Sequence, residues 1–190
     1  MKVTREQAAK NREQILDTAA RLFRERGLDG IGVADLMREA GFTHGGFYGH
    51  FESKEDLMAQ ACQRAFEGKE DWWNAVLEGE KKGGPLAGLA KMYLTEAHRD
   101  APGQGCPLPC LAVDVSRQSP EVRRSFTEGV RRAIERLASK LTGRPPKEQR
   151  REAIRGWASV VGAMVLARAV NDPALSAEIL RAVRESLQEK

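Results

Sequence analysis

The chain has 190 residues, 41% of them apolar and 31% charged, with a formal net charge of +4. That is enough for one large domain, or a small one joined to a larger one, with apolar content sufficient for a core. No apolar run approaches the roughly 20 residues that a bilayer span needs, the first residues lack a signal-peptide pattern, and Cys62, Cys106 and Cys110 do not make a disulfide framework. The expectation is a cytoplasmic protein with reduced thiols and no membrane contact.

Nearly every apolar segment has helical period. Ala8, Ile15, Ala19, Leu22 and Phe23 recur at three- and four-residue steps, with Lys and Arg on the other face, and Gly27 is placed to end that helix. A short helix follows over 33–40, Gly41 permits a sharp turn, and Thr43 is expected to cap a very short helix running to about His50. Ser53-Lys54-Glu55-Asp56 has capping-box spacing and opens a long helix predicted to reach Leu77. After a break at 79–85, helices are predicted over about 85–98, 109–117, 119–141, 147–170 and 176–187. Ser119-Pro120-Glu121 gives a strong start signal. The reading is all-α, about nine helices and no sheet.

The second and third short helices, with Gly41-Phe42-Thr43 between them, form a helix-turn-helix. The third reads His44-Gly45-Gly46-Phe47-Tyr48-Gly49-His50, followed by Phe51. Three glycines in so short a helix each sacrifice roughly 1 kcal/mol of propensity relative to Ala. Close approach of the backbone to another surface, such as a DNA groove edge, supplies a reason for them. Phe47 and Phe51, four apart, can both pack inward and leave Thr43, His44, Tyr48 and His50 nearer the open face. Thr43 at the helix start and the Tyr48 hydroxyl suit phosphate, and His44 can reach a base edge or a phosphate. Lys54 adds a positive charge for the same backbone. The basic N-terminal stretch, with Lys2, Arg5, Lys10 and Arg12, offers further contacts to the flanking duplex or simply a solvated helix face.

These motifs carry a resemblance. From about Arg12 to Leu57 the chain resembles the DNA-binding domain of the TetR/AcrR family of repressors. Gly27, Ala40-Gly41, Phe47-Tyr48-Gly49-His50-Phe51 and Ser53-Lys54-Glu55 match that family's pattern in order and spacing. The resemblance implies an N-terminal three-helix DNA-binding domain, placed at 1–56, and a larger helical ligand-binding and dimerisation domain, placed at 57–190. It also implies a homodimer on a roughly palindromic double-stranded DNA operator. The family usually has Ser or Thr where Gly32 stands, so Gly32 can cap the second helix but has no hydroxyl to give. The expected DNA-binding set is Gly32, Thr43, His44, Gly45, Gly46, Tyr48, Gly49, His50 and Lys54.

In the C-terminal part the segment Trp157 to Ala167 is apolar nearly all round, so it must be covered on two sides, one by its own domain and one by a partner subunit. The last helix carries Ile179, Leu180, Val183 and Leu187 as a stripe. Two such helices from each subunit make a four-helix bundle. Trp72, Trp73, Met92, Tyr93, Cys106, Cys110, Phe126, Trp157 and Met164, large or polarisable and spread over separate helices, are the expected lining of a small-molecule effector site or else ordinary core. Cys106 and Cys110 form a C-x3-C pair near a helix start, which makes an electrophilic inducer one candidate. An enzyme using Cys106 as nucleophile is the alternative from another class. Against it, only three His are present, two of them in the DNA motif, and no phosphate loop or dinucleotide fingerprint occurs. No catalytic residues, metal site or cofactor is expected; His98 is the sole imidazole near the two cysteines, too few ligands for zinc.

Overall fold

The computed structural model describes residues 4–67 and 83–188. Among the described residues every element is helical, as expected, with nine α-helices and two 3-10 segments, and no helix is long and apolar enough to cross a membrane. Two compact units emerge. One comprises Met1–Glu67 with Cys110–Gly129, the other Gly68–Pro109 with Val130–Lys190. Trp72 and Trp73 lie outside the described residues.

The first unit begins with α1 (Arg5–Arg26), α2 (Val33–Glu39), a 3-10 segment (His44–Gly49) and α3 (Lys54–Ala65). Thr4 caps α1, its hydroxyl accepting from the Gln7 N–H at 3.1 Å. The three- and four-residue apolar steps put Ile15, Leu16, Ala19, Ala20, Leu22 and Phe23 on one buried face. Each of the larger ones contributes about 1.5–3 kcal/mol by leaving water. The middle of α1 and the end of α3 are also tied by charge. The Arg64 guanidinium bonds Glu13 and, at 2.6 Å, Asp17, and its hydrogen bond holds the Glu13 carboxyl below the usual carboxylate range. Gly27 ends α1 at φ +81°, where its N–H reaches the Phe23 carbonyl at 2.8 Å. A side chain there would be strained by that backbone and would also press on Asp114, 2.6 Å away from the Cβ position.

Two helical expectations fail at tertiary contacts. The helix opened by Ser53 is expected to run to about Leu77, but α3 ends at Ala65, and the expected stretch 68–77 lies outside the described residues. Phe66 turns out of it, and its ring meets Phe126 edge-on at 5.4 Å over Gly129. Phe66 and Glu67 N–H groups close tighter three-residue bonds to Gln63 and Arg64 carbonyls, so an aromatic contact overrides local propensity. The segment expected as one helix over 85–98 is instead α4 (Gly84–Tyr93) and α5 (Glu96–Asp100), parted at Leu94. Thr95 caps α5, its hydroxyl accepting from the His98 N–H at 3.1 Å. The break lets the His98 ring fold back on the preceding turn.

Beyond these come a 3-10 turn at Pro102–Gln104, α6 (Leu108–Val115), α7 (Pro120–Ala138), α8 (Pro146–Ala169) and α9 (Pro173–Ser186). Ser119 does not cap α7: its hydroxyl is buried without a hydrogen-bond partner, and the backbone carbonyl alone receives Arg123. The last helix starts three residues earlier than its apolar stripe suggested, because Asp172 accepts from the N–H groups of Ala174 and Leu175 at 2.9 and 3.2 Å. Its return against α8 is pinned by Ser176, whose hydroxyl donates to the Ala167 carbonyl at 2.7 Å. Within α8, Gly156 leaves room for Leu86, whose Cδ2 would lie 2.5 Å from a Cβ there.

Candidate DNA interface and effector region

The helix-turn-helix is built on a small apolar floor. Leu36 and Met37 of α2 are buried, as are Phe47 and Phe51, whose rings stack at 5.7 Å. Arg12 lies over the Phe51 ring at 5.0 Å and also donates to Gln60, so this basic residue is occupied in holding α1 to the motif. Lys10 is paired with Glu6 at 2.7 Å. Of the basic stretch expected as a DNA arm, these two serve local structure, and Lys2 lies outside the described residues. Gly41, at φ +84°, makes the turn.

The third helix is a 3-10 segment rather than α. The Gly46 N–H bonds the Thr43 carbonyl at 3.0 Å, and Thr43 sits at the N-cap position without a side-chain cap bond. The expected hydroxyl cap is therefore not made: the tight three-residue turn engages the backbone carbonyl, and the Thr43 side chain is exposed. Three glycines in six residues weaken α-helix, which allows this tighter coil.

Anchoring Phe47 inward turns the opposite side out. Thr43, His44, Gly45, Gly46, Tyr48 and Gly49 are all exposed, Tyr48 by 69%, and His50 and Lys54 are half-exposed. Tyr48 stands edge-on to Phe47 at 5.2 Å and to His44 at 6.4 Å. Lys54 follows Ser53, whose hydroxyl caps α3 by accepting from the Asp56 N–H at 3.0 Å. The Asp56 carboxylate reaches back to the Glu52 N–H at 3.1 Å, one residue before the usual capping-box partner. Gly32 caps α2 with no side-chain bond, as a glycine must. A Cβ built on Gly32, Gly45 or Gly49 would meet nothing within 4 Å, and none of the three has positive φ. Neither packing nor backbone geometry within the chain explains these glycines.

Of the residues expected to line an effector site, the second unit holds Met92, Tyr93, Cys106, Trp157 and Met164, and the first holds Cys110 and Phe126. Tyr93 and Met164 are fully buried and Trp157 nearly so, whereas Met92 is half-exposed. Tyr93 meets Trp157 edge-on at 5.7 Å and His98 at 4.4 Å, and the indole N–H donates to the Ala133 carbonyl at 3.0 Å. Sequence reasoning set His98 beside Cys106 only as a base or metal ligand, yet here it organises the cluster. The Cys106 N–H donates to Nε2 at 3.1 Å, so that nitrogen must be unprotonated. Nδ1 then carries the proton and donates to the Tyr93 carbonyl at 2.8 Å. A neutral imidazole thus clips the Cys106 loop to the aromatic pair. Two clefts of about 340 and 420 Å³ also lie in this unit, and neither is lined by the expected effector residues.

The three thiols differ in environment. Cys62 is fully buried in α3, and burial pushes its pKa up to about 12, whereas Cys106 and Cys110 are half-exposed. Because the thiolate is the reactive form, iodoacetamide at pH 8 is expected to alkylate Cys106 and Cys110 in the native chain and Cys62 only after denaturation. Peptide mass spectrometry of the labelled protein checks this; early modification of Cys62 would contradict it.

The profile of the bacterial regulatory proteins of the tetR family matches residues 15–61. The repressor DhaR of Mycobacterium sp. (strain GP1) is 30% identical over 112 residues, 59% of this chain and 56% of that protein. The regulator AcrR of Shigella flexneri is 37% identical over 57 residues, 30% of this chain and 26% of that protein. The chain thus spans about half, or less, of the length of these curated relatives. Among solved structures, reduced E. coli NemR superposes with a TM-score of 0.75 at 24% identity, covering 94% of this chain and 95% of that one. A TetR regulator from Chloroflexus aurantiacus J-10-FL gives 0.78 at 25% identity, covering 96% and 94%. Residues 15–61, over α1 to α3, thus match the tetR family of bacterial regulatory proteins, and the chain shares the all-helical fold of solved TetR regulators.

Proposed function

We propose that the chain is a DNA-binding repressor that acts as a homodimer on a roughly palindromic operator and dissociates when a small molecule binds its C-terminal part. The observation that carries the DNA reading is the third helix, whose open face bears exposed Thr43, His44 and Tyr48 and glycines that nothing in the chain requires. In this reading the bare backbone at Gly45, Gly46 and Gly49 approaches the groove, Gly32 lies beside the phosphates, and Tyr48 and Lys54 bind phosphate with His50 nearby. Dimerisation is supported by Ile154, Leu166 and Leu175 of α8 and α9, which are 44, 57 and 41% exposed in one copy. Apolar surface of that kind is suited to a partner. For the effector, the buried Tyr93–Trp157 pair with Met92, Met164 and Cys106 is the favoured lining. An electrophilic inducer is favoured by one further observation, that Cys106 and Cys110 are half-exposed while Cys62 is buried.

The glycines give a direct test. Replacing Gly45 and Gly49 by Ala meets no neighbour and no positive φ. It should therefore stabilise the fold by about 0.4–1 kcal/mol per site through the unfolded chain. The same variant is expected to bind a duplex selected by the wild type from a random pool about tenfold or more weakly, because methyl groups hold the backbone off the groove. Raised unfolding temperature with unchanged duplex affinity would overturn the glycine contact with the groove, and failure of the wild type to select any duplex would overturn the DNA reading.

A further inference from the structure

The second unit contains a cleft of about 420 Å³ bordered by the start of α4, the turn between α7 and α8, the first turns of α8 and the end of α9. Its size falls within the range of small-ligand sites. Leu86, Leu141 and Leu187 supply apolar surface, and the last two are buried. Among the described residues, Lys140, Arg144 and Arg155 supply three cations, against which stands a single lining carboxylate, Glu152. That carboxylate is already neutralised. Its side chain is 13% exposed and is bound by Arg155 at 2.7 Å.

The chain geometry presents the other two cations. After α7 the backbone coils tightly, with the N–H groups of Lys140, Leu141 and Thr142 bonded to Leu137, Ala138 and Lys140 carbonyls. Leu141 is buried while Lys140 stays exposed. Gly143, at φ +79°, reverses the chain, and the Arg144 carbonyl is held by the Gln149 side chain at 2.9 Å. Lys140 and Arg144 have no ion-pair partner among the described residues. The start of α4 adds to the same field. Gly83 occupies its N-cap without any side-chain cap, and the positive end of that helix dipole borders the cleft. A wall of leucines beside unpaired cations matches a ligand with an apolar tail and an anionic head.

We propose that this cleft binds a small amphiphilic anion, a carboxylate or phosphate monoester carrying a short alkyl chain. The apolar tail lies along Leu86, Leu141 and Leu187, and the head is held by Lys140, Arg144 and the free face of Arg155. The proposal rests on the cleft alone and does not depend on DNA binding. Calorimetric titration of the full chain with octanoate, octyl phosphate, octanol and octylamine tests it, repeated on the Lys140→Ala/Arg144→Ala variant. At least one of the two anions should bind, and the tighter one identifies the head group. Octanol and octylamine should bind about tenfold or more weakly, and the variant should lose about tenfold or more in anion affinity with its unfolding temperature unchanged. Binding of octanol as tight as that of the anions would overturn the proposal, as would undiminished anion binding by the variant or the absence of heat with both anions.

Discussion

Replacing Tyr48 and Lys54 together by alanine is expected to weaken operator binding about 100- to 1,000-fold. A dimer would lose four phosphate contacts, two hydroxyls and two ammonium groups, each contributing about 0.7–1 kcal/mol net in an exposed setting, and tenfold corresponds to about 1.4 kcal/mol. The fold should be indifferent to the change. Tyr48 is 69% exposed and Lys54 half-exposed with no ion-pair partner among the described residues, so stability should shift by no more than about 0.5 kcal/mol per site. Salt gives a second readout. Two fewer lysine–phosphate contacts should flatten the dependence of log affinity on log salt by about two units. Titration of a labelled duplex at several salt concentrations, with thermal unfolding alongside, measures both. A variant that holds the wild-type duplex with unchanged affinity and slope would remove the basis for the proposed interface.

Tyr93→Ala is expected to be the most damaging single change within the second unit. The ring is wholly buried, with edge contacts to His98 at 4.4 Å and Trp157 at 5.7 Å. Deleting a large buried aromatic leaves a cavity the neighbours fill only partly, with a loss of about 3–5 kcal/mol. That is a large share of a typical domain's 5–15 kcal/mol. The loss should spread locally, because the His98 ring that holds the Cys106 N–H rests against Tyr93. Urea unfolding followed by circular dichroism gives the stability change. Faster alkylation of Cys106 in the folded variant would report the loosened loop. A loss below about 1 kcal/mol would mean that the ring is not part of the packed core.

Much of the first unit was legible in the sequence because its signals are local. The three- and four-residue spacing of Ile15, Ala19, Leu22 and Phe23 gave α1 and its buried face, Gly27 and Gly41 marked its end and the turn, and Ser53 marked the start of α3. The inward pairing of Phe47 and Phe51 followed from their spacing of four, and with it the exposure of Tyr48. The 3-10 form of the third helix was less accessible, since three glycines lower α propensity without saying what replaces it. The uncapped hydroxyl of Thr43 follows from that same tight turn.

Non-local contacts decided the rest. Periodicity continued past Ala65 and past Tyr93, but Phe66 leaves α3 to meet Phe126, sixty residues on in sequence, and His98 leaves the line of α4 to bond the Tyr93 carbonyl. Asp114 and Gln118 likewise reach back to the end of α1, accepting from the Leu28 N–H at 3.0 Å and donating to Asp29 at 2.9 Å. This is how residues 110–129 come to share a unit with the helix-turn-helix. Sequence by itself determined the helical period, the turns and the DNA-binding motif, because each depends on neighbours a few residues apart. Tertiary structure alone decided where the long helices break, which ring organises the Cys106 loop, and that Lys140, Arg144 and Arg155 line one cleft. Those outcomes depend on side chains that meet only after the helices have packed.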